Sequence, residues 1–200
     1  MYNIHHTEGI ILSSRNAGEA DRIYTIYSKD FGKIAVFAKG VRLEKSKLRS
    51  HLNLYSFIRL SFVEGRDFLR LTDGEEIMQP SLGLSLPACA GRQAGENIFY
   101  LMGRASSFIE RMIRGQEKDE PLWNTIHSGF HCLYSSRSIP EFFEPLFKAR
   151  LLHRLGYVSA EKETLDEVIT EDDWTSLSIS DTDHKNLEKI YAESLIASQL

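Results

Sequence analysis

Residues 22–38, RIYTIYSKDFGKIAVFA, carry the clearest fold signal in the sequence. The stretch begins with an alternating run of β-branched and aromatic residues and ends with a second apolar run, IAVFA, at residues 34–38. Between the two runs, SKDFG at residues 28–32 is typical of a turn in which Gly32 takes a positive φ. Two such runs around a short turn predict a β-hairpin.

Three further segments before residue 80 favour strands. They are residues 7–12, 54–62 and 68–77, and the last two are joined by the short connection EGRD at residues 64–67. Five short strands within residues 1–79, with one longer link between the third and fourth, predict a small closed barrel. Such a barrel leaves no sheet edge exposed and leaves its loops free for ligands.

The pattern changes after the strands. Residues 80–91 (PSLGLSLPACAG) are rich in Gly, Pro and Ser, which predicts a linker. Hydrophobic residues then recur at helical spacing. The predicted elements are helices over residues 98–112, 121–133 and 140–155, the last closed by Gly156, and a short helix over 182–197. We therefore expect an α-helical domain over residues 92–200, with an acidic part at 161–183.

The charges are distributed unequally between the two predicted domains. The formal net charge of −4 argues against a histone-like polyanion binder. However, residues 1–79 contain 12 Lys/Arg and 10 Asp/Glu, whereas residues 80–200 contain 12 and 18. Attraction to a polyanion is therefore expected from the first domain.

Several function classes lack their residue patterns in this sequence. The two cysteines form no CxxC pair, which argues against a thiolate zinc site or a disulfide framework. The adjacent His5 and His6 would point to opposite faces of a strand, so no metal site is predicted there. No GxSxG, HExxH or phosphate-loop motif occurs. We therefore expect no enzymatic activity, no cofactor and no membrane span, in a cytoplasmic, nucleoid-associated protein.

The candidate site is the basic run KGVRLEKSKLR at residues 39–49. In an extended loop its cations could follow successive phosphates and gain from counterion release. The alternative is a solvated loop of mixed charge, but a position between two barrel strands favours binding. The predicted contacts are Lys39, Arg42, Lys45, Lys47 and Arg49, with Lys33 and Arg22 as second choices. Aromatic residues on the strands could stack on bases, although the sequence singles out none of them.

The helical domain offers a second candidate site. Amphipathic helices with interspersed arginines and lysines suit short acidic, hydrophobic peptides. Lys148, Arg150 and Arg154 are the predicted contacts for such a peptide. The alternative is an ordinary helical core with solvated arginines.

The order of these features resembles the RecO family of bacterial recombination mediators. The segment GEADRIYTIYSKDFGKIAVFAKGVRLEKSKLR, residues 18–49, is similar to the opening of that family, with Asp21-Arg22 at a strand start and Lys39-Gly40 before the basic loop. A second match is FKARLLHRLGY, residues 147–157. The resemblance covers roughly residues 1–157.

The resemblance implies an α+β multidomain protein, with an OB-fold barrel at residues 1–79 followed by an α-helical domain. It further implies binding of single- and double-stranded DNA and annealing of strands. The implied protein partners are RecR and the acidic C-terminal tail of single-strand-binding protein, with RecA as an indirect partner that is loaded onto DNA. Many members carry a four-cysteine zinc module after the position of Tyr157, and this sequence has none. Two alternatives stay open: a protein–protein adaptor whose barrel binds no nucleic acid, and a cryptic nuclease.

Overall fold

The computed structural model describes residues 3–79, 91–135, 142–157, 169–170, 174 and 189. Its strands are β1 (Ile4–Ala17), β2 (Asp21–Ser28), β3 (Gly32–Ala38), β4 (Phe57–Glu64) and β5 (Leu69–Met78). Its helices are α1 (Gly91–Met112), α2 (Glu120–Ser135) and α3 (Phe143–Arg154), and a 3-10 turn covers Lys47–Ser50. Four predicted features lie wholly or mostly outside the described residues: the linker, the start of the third helix at Pro140, the acidic stretch and the last helix.

The five strands form a closed barrel in the order β1-β2-β3-β5-β4. All neighbours are antiparallel except β3 and β5, which run parallel and pair at Val36 with Leu69 and Phe37 with Arg70. A five-stranded Greek-key barrel of this kind is the OB-fold. The predicted OB-fold barrel followed by helices is therefore confirmed.

The strands of the barrel are strongly staggered. One row of register partners circles the barrel through Arg15, Ile23, Phe37, Arg70, Val63 and Ile4. The row leaves β1 at Arg15 and returns to the same strand at Ile4, eleven residues earlier in the sequence. Such an offset requires strands that are tilted against the barrel axis. It also explains why β1 is the longest strand, since it has to pair with β2 over its second half and with β4 over its first.

The barrel interior is an apolar core. Alternation along β2 and β3 turns Tyr24, Ile26, Ile34 and Val36 inward, and each of these side chains is almost fully buried. The long link between β3 and β4 adds Leu52 to this cluster beside Gly74, where a Cβ would lie 3.2 Å from the leucine Cδ2. The link therefore closes one part of the barrel as well as connecting two strands.

Residues 102–119 form one compact unit with the barrel. The hydroxyl of Ser13 on β1 donates a hydrogen bond to the Glu110 carboxylate, and the ammonium of Lys33 donates to the Glu110 carbonyl. The backbone N–H of Lys33 donates to the carbonyl of Gly115 at 3.3 Å. The sequence pattern places this segment in the helical domain. The helix itself is confirmed, but its second half packs with β1 and β3; the domain boundaries 1–79, 80–91 and 92–200 stay a prediction.

The second compact unit includes α2 and α3. Phe147 of α3 contacts α2 at Gly129, where a Cβ would lie 2.9 Å from the phenylalanine ring, so the glycine permits the close approach. Trp174 is buried against these helices, and its indole N–H donates to the Ser128 hydroxyl at 2.9 Å. The end of α3 follows the prediction, because Gly156 takes a φ of 78° and its N–H donates to the carbonyl of His153. No helix in the described part of the chain combines the length and the apolar character that crossing a bilayer demands.

Candidate nucleic-acid interface

The basic loop begins at a turn that is held by the β1–β2 connection. Gly40 has a φ of 66°, and its N–H donates to Oδ1 of Asp21 at 2.6 Å. The N–H of Arg42 donates to the carbonyl of Ala20 at 2.9 Å, and its guanidinium donates to the carbonyl of Gly18 at 3.1 Å. The carboxylate of Asp21 at the start of β2 thus accepts the hydrogen bond that the N–H of Gly40 donates two residues after the end of β3.

The basic loop is amphipathic. Val41 and Leu52 are buried, and Leu48 is half-buried against the barrel core. The predicted contacts Lys39, Arg42, Lys45, Lys47 and Arg49 are all exposed. None of these five forms an ion pair with any residue that the structure describes. The loop therefore presents cations to solvent from a backbone that is anchored by its own apolar side chains.

The two second-choice residues lie elsewhere. The ammonium of Lys33 donates to the carbonyl of Glu110 at 2.6 Å, near the end of α1. Burial lowers the pKa of this lysine, and the neighbouring Arg114 lowers it further, against the opposing effect of the Glu110 carboxylate. Arg22 is half-buried, and its Nε donates to Oδ1 of Asn16 at 3.3 Å. Lys33 is thus separated from the loop cations, whereas Arg22 lies beside the turn that holds them.

An aromatic pair on the outer surface of the barrel was not identified from the sequence. The ring centroids of Phe37 on β3 and Phe68 before β5 lie 5.1 Å apart, and Phe68 is 49% exposed. Arg70 pairs with Phe37 across the strands, and Arg15 follows in the same row beyond Ile23. The alternation along β3 could have indicated that Phe37 points outward. Its partners depend on the β3–β5 register, which no local pattern reveals.

The outer surface formed by β1, β4 and β5 has a different charge. The guanidinium of Arg59 on β4 lies 3.4 Å from the carboxylate of Glu8 and 3.4 Å from that of Glu75. Asp73 is also exposed on β5. Two carboxylates flank this arginine and compensate its charge, so Arg59 adds little to the attraction of a polyanion. The basic loop differs from this surface, because its five exposed cations have no carboxylate partner among the described residues.

The three residues predicted to bind a peptide are engaged within their own unit. Lys148 pairs with Glu144 one turn earlier on α3. Arg150 is buried, and its guanidinium lies 4.2 Å from the centroid of the Trp174 ring. Arg154 donates to the Thr125 hydroxyl at 3.3 Å. Arg150 has a packing role in this arrangement, and the peptide site stays a prediction.

Among the residues that the structure describes, no group of three or more His, Cys, Asp or Glu side chains is arranged to hold a metal ion. The imidazole of His5 stacks on the Phe62 ring at 5.3 Å, and His6 forms a hydrogen bond with the Ser61 hydroxyl at 2.8 Å. The two histidines have separate partners, as the alternation of a strand requires.

Comparison with known proteins agrees with the fold and with the resemblance. Residues 1–79 match the family described as "Recombination protein O N terminal". The protein named DNA repair protein RecO of Heliobacterium modesticaldum is 30% identical over 156 residues, which are 77% of this chain and 52% of that protein. The protein of the same name from Bifidobacterium adolescentis is 35% identical over 91 residues, which are 46% of this chain and 35% of that protein.

A third relative of that name, from Nocardioides sp., is 35% identical over 83 residues, or 42% of this chain and 34% of that protein. The chain thus spans between about a third and about half of the length of these relatives. The matched residues include the Asp21–Gly40 contact and the basic loop, both within the family's N-terminal domain. The chain belongs to the RecO family.

Proposed function

We propose that this chain is a DNA-binding recombination mediator that acts in DNA repair, and that it binds DNA strands without carrying out a chemical step. The observation that carries the proposal is the basic loop, with five exposed cations that have no ion-pair partner among the described residues. Cations in this state are neutralised by counterions in solution. Release of those counterions favours binding to a phosphate backbone.

The anchoring of the loop backbone supports the proposal. Long cationic side chains on a mobile loop would lose both backbone and side-chain freedom on binding. Here the backbone is fixed in advance by the hydrogen bonds of Gly40 and Arg42 and by the buried side chains of Val41 and Leu52. Most of the ordering cost therefore falls on the side chains alone, which favours affinity.

The aromatic pair gives the proposed site a way to hold bases. Strands 2 and 3 carry the ligand face in OB-folds, and Phe37 lies on β3 beside the half-exposed Phe68. Unpaired bases stack on such rings with little dependence on sequence. A strand with its phosphates on the loop and its bases on this pair would have those bases exposed for pairing with a second strand. The proposal also includes properties of the RecO family: annealing of strands, contacts with RecR and single-strand-binding protein, and loading of RecA.

The proposal is tested by measuring the affinity of the full chain for a labelled single strand over a range of salt concentrations. Five phosphate contacts predict a log–log slope of about −3.5, at about −0.7 for each contact. Reversing the charge of Arg42, Lys45 and Lys47 to Glu should abolish binding. Arg42→Glu removes the hydrogen bond from the guanidinium to the Gly18 carbonyl, but the backbone hydrogen bonds of Gly40 and Arg42 that hold the loop remain. The circular dichroism spectrum should therefore stay unchanged.

A matched control reverses Lys29, Arg111 and Arg114, which are exposed cations of the same compact unit outside the loop. The net charge changes equally in both variants, so a general loss of attraction would weaken both. Binding that survives in the control and disappears in the loop variant supports the proposal. A wild-type chain that fails to bind at low salt would contradict it and would favour the adaptor alternative.

A further inference from the structure

Leu43 lies within two successive turns of the basic loop, with its Cδ1 3.5 Å from the position that a Cβ on Gly40 would take. Its N–H donates to the carbonyl of Gly40 at 3.1 Å, and its own carbonyl accepts from the N–H of Ser46 at 3.0 Å. The side chain is nevertheless 56% exposed. Because both backbone polar groups are used, the residue cannot turn inward without breaking the turns that shape the loop.

The other aliphatic side chains of the loop are arranged differently. Between residues 41 and 52, all of which the structure describes, Val41 and Leu52 are buried and Leu48 is half-buried. Leu43 is the aliphatic residue of this segment that faces solvent. A single exposed leucine is ordinary on a protein surface. This one, however, stands between Arg42 and the Glu44-Lys45 pair, on the loop to which the proposed function assigns the phosphate contacts.

Apolar side chains between cations have a known use on DNA. Leucine and similar residues insert between neighbouring bases and unstack them while arginines and lysines hold the adjacent phosphates. Insertion requires a side chain that is presented from a fixed backbone, since a mobile one would fold back onto the protein. The hydrogen bonds of Gly40 and Arg42 to the β1–β2 connection supply that backbone.

We propose that Leu43 is a wedge that inserts between two neighbouring bases of the strand bound by the loop and unstacks them. The inference rests on the proposed function, because it needs DNA on the loop. It assigns a separate task to one residue: the cations hold the backbone, and the leucine opens a base step.

The test uses the full chain and a single strand in which 2-aminopurine replaces one adenine, because the fluorescence of this base rises when it is unstacked. Binding of the wild-type chain should raise the fluorescence. Leu43→Ala should remove that rise and weaken binding about tenfold, from the loss of apolar contact area. The slope of affinity against salt should stay the same, since no cation is lost.

Ile77→Ala is the matched control, because Ile77 is 47% exposed on β5 and follows two acidic residues, Glu75 and Glu76. This variant should bind and unstack as the wild type does. If Leu43→Ala keeps both the fluorescence rise and the affinity, or if Ile77→Ala loses them equally, the wedge is refuted while DNA binding stands. If the wild-type chain does not bind, the proposed function fails and the wedge fails with it.

Discussion

Gly32 provides a direct test of whether residues 102–119 belong to the folding unit of the barrel. The residue starts β3 with a φ of 60°, and a Cβ at this position would lie 2.5 Å from the carbonyl oxygen of Glu117. The obstructing atoms are backbone, so they cannot rotate away as a side chain could. Gly32→Ala would therefore have to move the segment that follows α1 away from β3.

The cost can be separated into two parts with Gly18 as a reference. Gly18 has a φ of 78°, and a Cβ added to it would meet nothing within 4 Å. Gly18→Ala thus carries only the backbone penalty of about 1–2 kcal/mol, reduced by roughly 0.4–1 kcal/mol through the stiffer unfolded chain. Gly32→Ala carries the same penalty and also disturbs the hydrogen bond from Lys33 to Gly115 and the exposed ion pair of Lys118 with Asp30. We expect about 2 kcal/mol of additional destabilisation, of which the lost hydrogen bond contributes about 1 kcal/mol and the exposed ion pair at most about 1 kcal/mol.

Urea unfolding of both variants and of the wild-type chain measures the difference. The expected free energy of unfolding falls by about 1 kcal/mol for Gly18→Ala and by about 3 kcal/mol for Gly32→Ala. Equal losses in the two variants would contradict this prediction, because they would mean that the segment after α1 contributes nothing to the stability of β3. A larger loss for Gly18→Ala would have the same consequence.

Two further predictions concern stability against pH and the aromatic pair. Burial raises the pKa of Tyr27 above its ordinary value of 10.0, and the charge of Asp119 adds to the effect. The unfolded state therefore loses this proton first as the pH rises above about 10. The free energy of unfolding should fall in that range by at most ~1.4 kcal/mol per pH unit, and more steeply than in Tyr27→Phe. Parallel curves of unfolding free energy against pH for the two proteins would contradict this prediction. Replacing Phe37 and Phe68 by Ala should weaken single-strand binding about tenfold or more, since stacking contributes roughly 1–3 kcal/mol per base, and should leave the salt slope unchanged. Unaltered affinity in the double variant would show that the pair does not hold bases.

The strands were predictable because their signals are local. Alternation identified β2 and β3, and the turn before Gly32 followed from the need for a positive φ. The start of β4 was less predictable. Tyr55 takes a φ of 66° and its N–H donates to the carbonyl of Ile11, so the strand begins at Phe57 and not at Leu54. A tyrosine does not predict a positive φ, because a non-glycine residue adopts that conformation only when its surroundings require it.

The charges of the candidate site could be predicted from the sequence, but the contacts that its residues make within the protein could not. A run of lysines and arginines indicates a cationic surface wherever the loop lies, and the five cations of residues 39–49 are indeed exposed together. Lys33 is different, because its partner Glu110 is 77 residues away in the sequence. The pairing of Phe37 with Phe68 likewise depends on the parallel contact between β3 and β5. Contacts of this kind are set by topology and register, which the local pattern does not encode.

The packing of residues 102–119 against β1 and β3 has a consequence for how the protein is made. The ribosome synthesises the five strands before this segment, and at about 5–20 residues per second residue 119 follows residue 79 by roughly 2–8 seconds. During that time Ser13 and Lys33 lack Glu110, the partner that completes their side of the barrel. The side of the nascent barrel that residues 102–119 later cover is therefore exposed during this interval. A chaperone or a neighbouring nascent chain has access to that side before the segment packs.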